Sequence, residues 1–162
     1  MRKFPPRLPG TVVGVASERD VLLFRASCDG LRVLEFLDAH HVVGKQLHIV
    51  TRQGADDEVS LVVSRENLHD ESRVRAHLAS EFGSRASLLD GFGAVSAIGA
   101  GINQSFDNLQ RGTRALRTAG LVPGDMATSS FRITWFVDRQ RVDDAARVLH
   151  QTLIAGQPAL VP

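Results

Sequence analysis

One order of elements occurs twice along this chain, and no other feature limits its fold so strongly. On the first pass, "VLLFRAS" (21–27) reads as a strand and Asp29-Gly30 as a turn signal. "LRVLEFLDAHH" then reads as a helix, with Leu31, Leu34 and then Leu37 or Asp38 at helical spacing. "QLHIVTR" (46–52) is a strand and "QGADD" a turn. "EVSLVVSR" is a second strand, its Val59, Leu61 and Val63 alternating with Ser60 and Ser64. A helix carrying Val74, Leu78 and Phe82 closes the pass, and "RASLLD" follows as a short strand.

The second pass repeats the order. "GAVSAIGAG" (93–101) is a strand. "SFDNLQRGTRALRTAG" is a helix with Leu109, Gly112, Leu116 and Ala119 on one stripe, closed by Gly120. "GDMAT" and "SSFRITWFV" are strands. In the latter Phe131, Ile133, Trp135 and Val137 alternate with Arg132 and Thr134, the pattern of a half-buried strand with packing residues on one face. "RVDDAARVLHQTLI" is a helix with Val142, Ala146, Leu149 and Leu153 inward. Two copies of β-α-β-β-α predict an α+β protein of two ferredoxin-like (βαββαβ) units, each an antiparallel sheet with helices on one face. One strand is left over at the front, "TVVGVAS" (11–17), separated from the next by a charged turn, Glu18-Arg19-Asp20.

Composition excludes several functions. With 19 basic and 18 acidic residues, the formal charge of +1 provides no strong field for nucleic acid or membrane. A hydrophobic fraction of 43% supports a packed core. The start, "MRKFPPRLPG", has no apolar core of a signal peptide, and no apolar run approaches a membrane span, so a cytoplasmic protein is expected. Cys28 is the single cysteine and forms no internal disulfide.

Three blocks in the second pass resemble one family. "VSAIGAGINQS" (95–105) is similar to V-S-x-V-G-x-G-M-x-S, "TSSFRITWFV" (128–137) to T-S-E-I-R-I-S-x-x-V, and "AARVLHQTL" (145–153) to A-x-x-A-L-H-x-x-F. These are blocks of the tandem ACT regulatory region of aspartate kinases, which some bacteria also make as a separate small regulatory subunit. The front, "PGTVVGVASERDVLLFRA", is similar to the join between kinase and regulatory region. The resemblance implies a lead-in (1–10), a first ACT unit (20–90), a second ACT unit (11–19 plus 91–155) and a tail (156–162). The first unit is then inserted between a leading strand and the rest of the second. It also implies a non-catalytic regulatory protein that binds an amino acid or related acid. Such a protein pairs its ACT units into a homodimer or partners a kinase catalytic chain.

The resemblance places a ligand between a loop-to-helix turn, whose N–H groups hold a carboxylate, and a facing strand entry. In the first unit these positions are Ser27, Cys28, Asp29, Gly30 and Leu31, faced by Val43, Lys45 and Gln46. In the second they are Ser105, Asp107 and Asn108, faced by Asp125, Met126, Thr128 and Ser129. Both depart from the family pattern. D-x-P-G is Ser27-Cys28-Asp29-Gly30, without the proline. The N-[IV]-D entry is Val43-Gly44-Lys45, and the family's later glutamine is Ile49. Lys45 would repel a ligand ammonium group and favour an acid or phosphate. S-H-P-G is Ser105-Phe106-Asp107-Asn108. Pro123 forces the facing strand to start late or bulge. Two explanations compete: an altered ligand, or a lost site on a fold kept as a dimerisation scaffold.

Catalytic signatures are missing. The kinase domain is absent, and "GFGAVSAIGAG" lacks the lysine and spacing of a phosphate loop. His40, His41 and His48 come together at one helix-to-strand turn, but no cysteine or carboxylate is spaced with them as in a zinc site. His150 matches a family position and reads as structural. No metal and no cofactor is expected. An enzyme reusing the sandwich is the alternative, with Cys28, Asp29, Lys45 and Asp125 as its candidates. Cys28 stands at a helix start, where a thiol pKa is lowered.

Overall fold

The structure is a computed structural model that describes residues 9–157. The expected lead-in, apart from Pro9 and Gly10, and the expected tail beyond Gln157 lie outside those residues. Six strands and four helices make an α+β fold. The strands are β1 (Gly14–Cys28), β2 (Lys45–Val50), β3 (Asp57–Ser64), β4 (Ala86–Ile98), β5 (Asp125–Ser129) and β6 (Arg132–Asp138). The helices are α1 (Gly30–Ala39), α2 (Glu71–Phe82), α3 (Asp107–Thr118) and α4 (Val142–His150), the last continuing into a π-helical turn, Gln151–Ala155. The sheet order is β2-β3-β1-β4-β6-β5, with β1–β3, β2–β3 and β5–β6 all antiparallel. Residues 20–92 form one compact unit, and, among the described residues, 9–19 with 93–157 form the other, flanking one in the sequence.

Two expected breaks are absent. Glu18-Arg19-Asp20 is not a turn, because β1 runs unbroken through it, and "RASLLD" and "GAVSAIG" are joined in one strand, β4. Charge suggests a reversal, but Asp20 is paired within extended backbone. Arg65 donates to Asp20 (2.9 Å), to Asp90 (2.7 Å) and to Glu71 (3.0 Å). Arg75 donates to Glu71 at 2.8 Å and to the Leu88 carbonyl at 2.6 Å. This half-buried network joins β1, the turn after β3, α2 and β4. Bonding to Asp90 raises the Arg65 pKa further, and burial opposes it. For Glu71, burial pushes the carboxyl up, but the Arg75 and Arg65 bonds outweigh it and the net shift is down.

In the 20–92 unit the core joins Leu22, Phe24 and Ala26 of β1 to Val33, Phe36 and Leu37 of α1 and to Val74, Leu78 and Phe82 of α2. The α2 stripe is the expected one. The α1 stripe is not: Leu31 and Leu34 face outward, while Val33, Phe36 and Leu37 face the sheet. Three leucines at regular spacing drew the sequence reading, yet the β1–α1 turn rotates the other face inward.

In the flanking unit the core is built on Trp135, which is 0% exposed. A Cβ on Gly112 of α3 would lie 2.6 Å from the Trp135 ring and 3.0 Å from Leu149, so only glycine lets α3 approach this closely. Truncating such a tryptophan to alanine costs about 3–5 kcal/mol. Leu116, Leu149 and Leu153 complete the packing, and Ala145 lies deeper than the expected Ala146. Of the expected stripe on α3, Ala119 is exposed. β6 is not half-buried. Thr134 and Phe136, on the face opposite Ile133, Trp135 and Val137, are buried too, whereas Phe131 is 54% exposed just before the strand. Thr134 reads as polar and outward in the sequence, but its hydroxyl is satisfied by Ser96 at 2.8 Å.

Candidate functional site

The first turn joins β1 to α1. Asp29 is the α1 N-cap, and its Oδ1 accepts from the Leu31 N–H at 2.9 Å. A second carboxylate reaches the same helix start from a distance. Asp57 opens β3 opposite Cys28 in the β1–β3 register. Its Oδ2 accepts from the Gly30 N–H at 2.9 Å. A Cβ at Gly30 would sit 3.0 Å from that oxygen and 3.3 Å from Ile49. Ser27 and Leu31 are exposed.

Cys28 corrects the sequence reading. Its side chain belongs to the buried core, and burial pushes its thiol up, against the opposing charge of Arg85. A helix start alone would lower it, but the side chain is packed in the core and the net shift is upward.

Ile49 of β2 approaches the α1 turn, so Lys45 and Gln46, three or four residues earlier, lie roughly 10 Å away by strand rise. Val43 and Lys45 are exposed. Gln46 is half-buried and left-handed (φ +57°), at an irregular register between Lys45 and His48. For a residue with a Cβ that costs roughly 1–2 kcal/mol. Its Oε1 is buried with no hydrogen-bond partner among the described residues.

The second turn leads into α3. Its N-cap, Phe106, supplies no side-chain bond. Ser105 Oγ accepts from the Asp107 N–H at 3.3 Å, and Asp107 lies 3.6 Å from Arg111. Asn108 is not open to a ligand through its amide nitrogen: it is buried and donates to the Gly10 carbonyl (3.0 Å) and the Ile102 carbonyl (3.3 Å). Asn103 donates to the Ser129 carbonyl and, at 3.1 Å, to that of Arg132, so the far end of β5 is fastened beside this turn. Asp125, the β5 entry, follows Pro123 as the late start required, and its Oδ1 accepts from the Met126 N–H at 2.8 Å. Thr113 donates to the Met126 sulfur (3.4 Å) and accepts from Trp135 Nε1 (2.9 Å). Thr128 and Ser129 are exposed.

Each turn and its own strand entry thus stand at opposite ends of a unit. The structure brings together Cys28, Asp29, Gly30 and Asp57 at one turn, and Ser105, Asp107 and Asn108 at the other. It does not bring Lys45 or Gln46 to the α1 turn. Asp57 and Thr113 were missed by the sequence reading. Strand register was the available signal for Asp57, since "QGADD" was read only as a turn.

Other features complete the surface. His40 stacks on Phe36 (4.3 Å) and edge-on against His77 (4.9 Å). His150 is exposed. Among the described residues no group of three His, Cys, Asp or Glu side chains is placed to hold a metal ion. No helix among them is long and apolar enough to cross a membrane. A groove of about 450 Å³ is lined by Arg111, Arg114, Ala115, Thr118, Ala119 and Thr152, with Arg111 donating to the Thr152 carbonyl at 2.8 Å.

The chain is thus an α+β fold of a six-stranded sheet and four helices among the described residues. Solved structures similar to it include aspartate kinases and their regulatory subunits. The regulatory subunit from Thermus thermophilus, in its ligand-free form, is 18% identical, with 88% of this chain and 99% of that chain covered at a TM-score of 0.71. Aspartate kinase from Synechocystis is 19% identical, with 100% of this chain and 30% of that one covered at 0.72. E. coli aspartokinase III in complex with lysine and aspartate is 15% identical, with 93% and 35% covered at 0.58. No family model matches the chain, and no curated protein matches it. The motif blocks read from the sequence and the likeness of fold point to the same proteins.

Proposed function

We propose that this chain is a regulatory module of two ACT units, residues 20–90 and residues 11–19 plus 91–155, that binds an amino acid or related acid. The observation that carries this reading is that the match covers 99% of a regulatory subunit of aspartate kinase and 88% of this chain. The sheet order supports two ferredoxin-like units: β2-β3-β1-β4 uses the second half of β1 and the first half of β4, and β1-β4-β6-β5 uses the remaining halves.

A second copy completes each site. Because a turn and its strand entry lie at opposite ends of one unit, they meet only when an edge strand pairs antiparallel with its counterpart. The α1 turn then faces the partner copy's β2 entry, and the α3 turn faces the partner copy's β5 entry. Exposed apolar side chains flank both edges: Leu31, Leu34, Val43 and Leu47 beside β2, and Phe106, Val122, Met126 and Phe131 beside β5. Exposed strands with such neighbours are templates for pairing. The buried, unpartnered Gln46 Oε1 and its left-handed backbone mark the β2 entry as a place where local stability yields to another demand. A kinase catalytic chain is the further partner that the fold suggests.

A thermal-shift screen of the free amino acids and of phosphorylated aspartate tests the reading. A ligand at 100 times its Kd adds about 2.7 kcal/mol to the native state. At least one amino acid is expected to raise the melting temperature. A flat response across the whole set would overturn the reading.

A further inference from the structure

We propose that Asp57 is a built-in occupant of the anion seat at the α1 turn, and that the 20–92 unit thereby excludes a free carboxylate ligand. The first N–H groups of a helix have no intrahelical partner and attract an anion. At α1 two such donors are already engaged, Leu31 by Asp29 and Gly30 by Asp57. Asp29 is a local cap. Asp57 is not: it comes from 27 residues away, delivered by the register that sets it opposite Cys28. α1 has no acidic residue of its own in its first turn, so both charges come from outside the helix. The contact is close enough that a Cβ at Gly30 would stand 3.0 Å from the Asp57 oxygen. An incoming carboxylate would have to displace this oxygen and then lie beside two like charges. α3 differs. Its N-cap makes no side-chain bond, but Ser105 Oγ accepts from the Asp107 N–H at 3.3 Å and Asp107 itself stands in the first turn; among the described residues no carboxylate from a distant strand is seen at its start. The α1 turn is therefore the one that rejects an acid by way of a strand residue. This exclusion rests on the regulatory reading above; the occupancy of the seat does not.

Chemical rescue tests the occupancy directly. Asp57→Ala empties the seat and is expected to melt roughly 2–4 °C below the wild type. Sodium formate, against sodium chloride at equal ionic strength, should raise its melting temperature saturably. The wild type and Asp57→Asn, whose side chains still fill the seat, should respond to the two salts alike. Equal action of formate and chloride on Asp57→Ala would overturn the proposal. If that variant does not fold, the amide resonance of Gly30 decides. It should show a through-hydrogen-bond coupling to the Asp57 carboxyl carbon in the wild type, and absence of that coupling overturns the proposal. The two readings fail separately. Rescue by formate with no amino acid bound anywhere sinks the regulatory reading alone. An amino acid that binds the wild type at the α1 turn, displacing Asp57 from the Gly30 N–H, would sink the exclusion and leave the regulatory reading standing.

Discussion

The α1 turn and the α3 turn hold the same place in their respective units, yet they are secured by different chemistry. At α1, two carboxylates cap the helix and the thiol between them is turned into the core. At α3, the N-cap residue Phe106 makes no side-chain bond, the Ser105 hydroxyl accepts from the Asp107 N–H, and neutral amides do the rest of the fastening: Asn108 to the Gly10 and Ile102 carbonyls, and Asn103 to the β5–β6 hairpin. Carboxylates stabilise a helix start by filling it. Amides and a hydroxyl can hold a loop in place without bringing a carboxylate from a distant strand to the start of the helix.

The sharpest attack on this contrast is on the amides. Asn108→Ala should cost about 1–3 kcal/mol, because two carbonyls lose their donor and one of them faces a buried amide. Asp29→Ala, removing an exposed cap at the other turn, should cost about 1 kcal/mol. Chemical denaturation of the two variants ranks them, and a larger loss from Asp29→Ala would dissolve the distinction. A smaller effect separates the units by pH. The Glu71 carboxyl is held below its usual range in the folded state. Its stabilising contribution is present above the unfolded carboxyl pKa of about 4.3 and is lost as pH falls through the lower folded value. Glu71→Gln should therefore lose less stability than the wild type between pH 6 and pH 3, and an unchanged acid slope would remove Glu71 from the explanation. The smallest effect is at the β5 edge. Phe106 is 71% exposed, so Phe106→Ser should leave monomer stability within about 0.5 kcal/mol. The same change should weaken self-association in sedimentation if that edge pairs with a second copy.

Much of the fold was legible because periodicity is local. The faces of α2 and α4 announced themselves through spacing alone, whereas the alternation expected in β3 gives way at its end, where Val62 and Ser64 are buried as well. Charge misled at Glu18-Arg19-Asp20, because the partner of Asp20 is Arg65, far along the chain, and nothing in the local sequence says so. The face of α1 was misjudged for a similar reason: spacing gives a stripe, but the connection to β1 decides which stripe turns inward. At the candidate site, Asp29 was legible as a cap, since a cap and its helix are adjacent. Asp57 was not. Its meeting with Gly30 depends on strand register, which pairs Cys28 with Asp57 only once β1 and β3 are aligned. The opposite placement of turn and strand entry was likewise a property of strand direction rather than of any motif.

The close fit of Gly112 over the Trp135 ring, with its indole N–H held by Thr113, has an optical consequence. The chain has one tryptophan and no tyrosine. Light absorbed near 295 nm is therefore taken up and re-emitted by the flanking unit alone, from beneath α3 and one hydroxyl away from the Met126 sulfur. The 20–92 unit is dark at that wavelength. A ligand that reaches the α3 turn can announce itself in the emission of the untreated protein, with no label attached, while anything that happens at Asp57 leaves no direct trace in that signal.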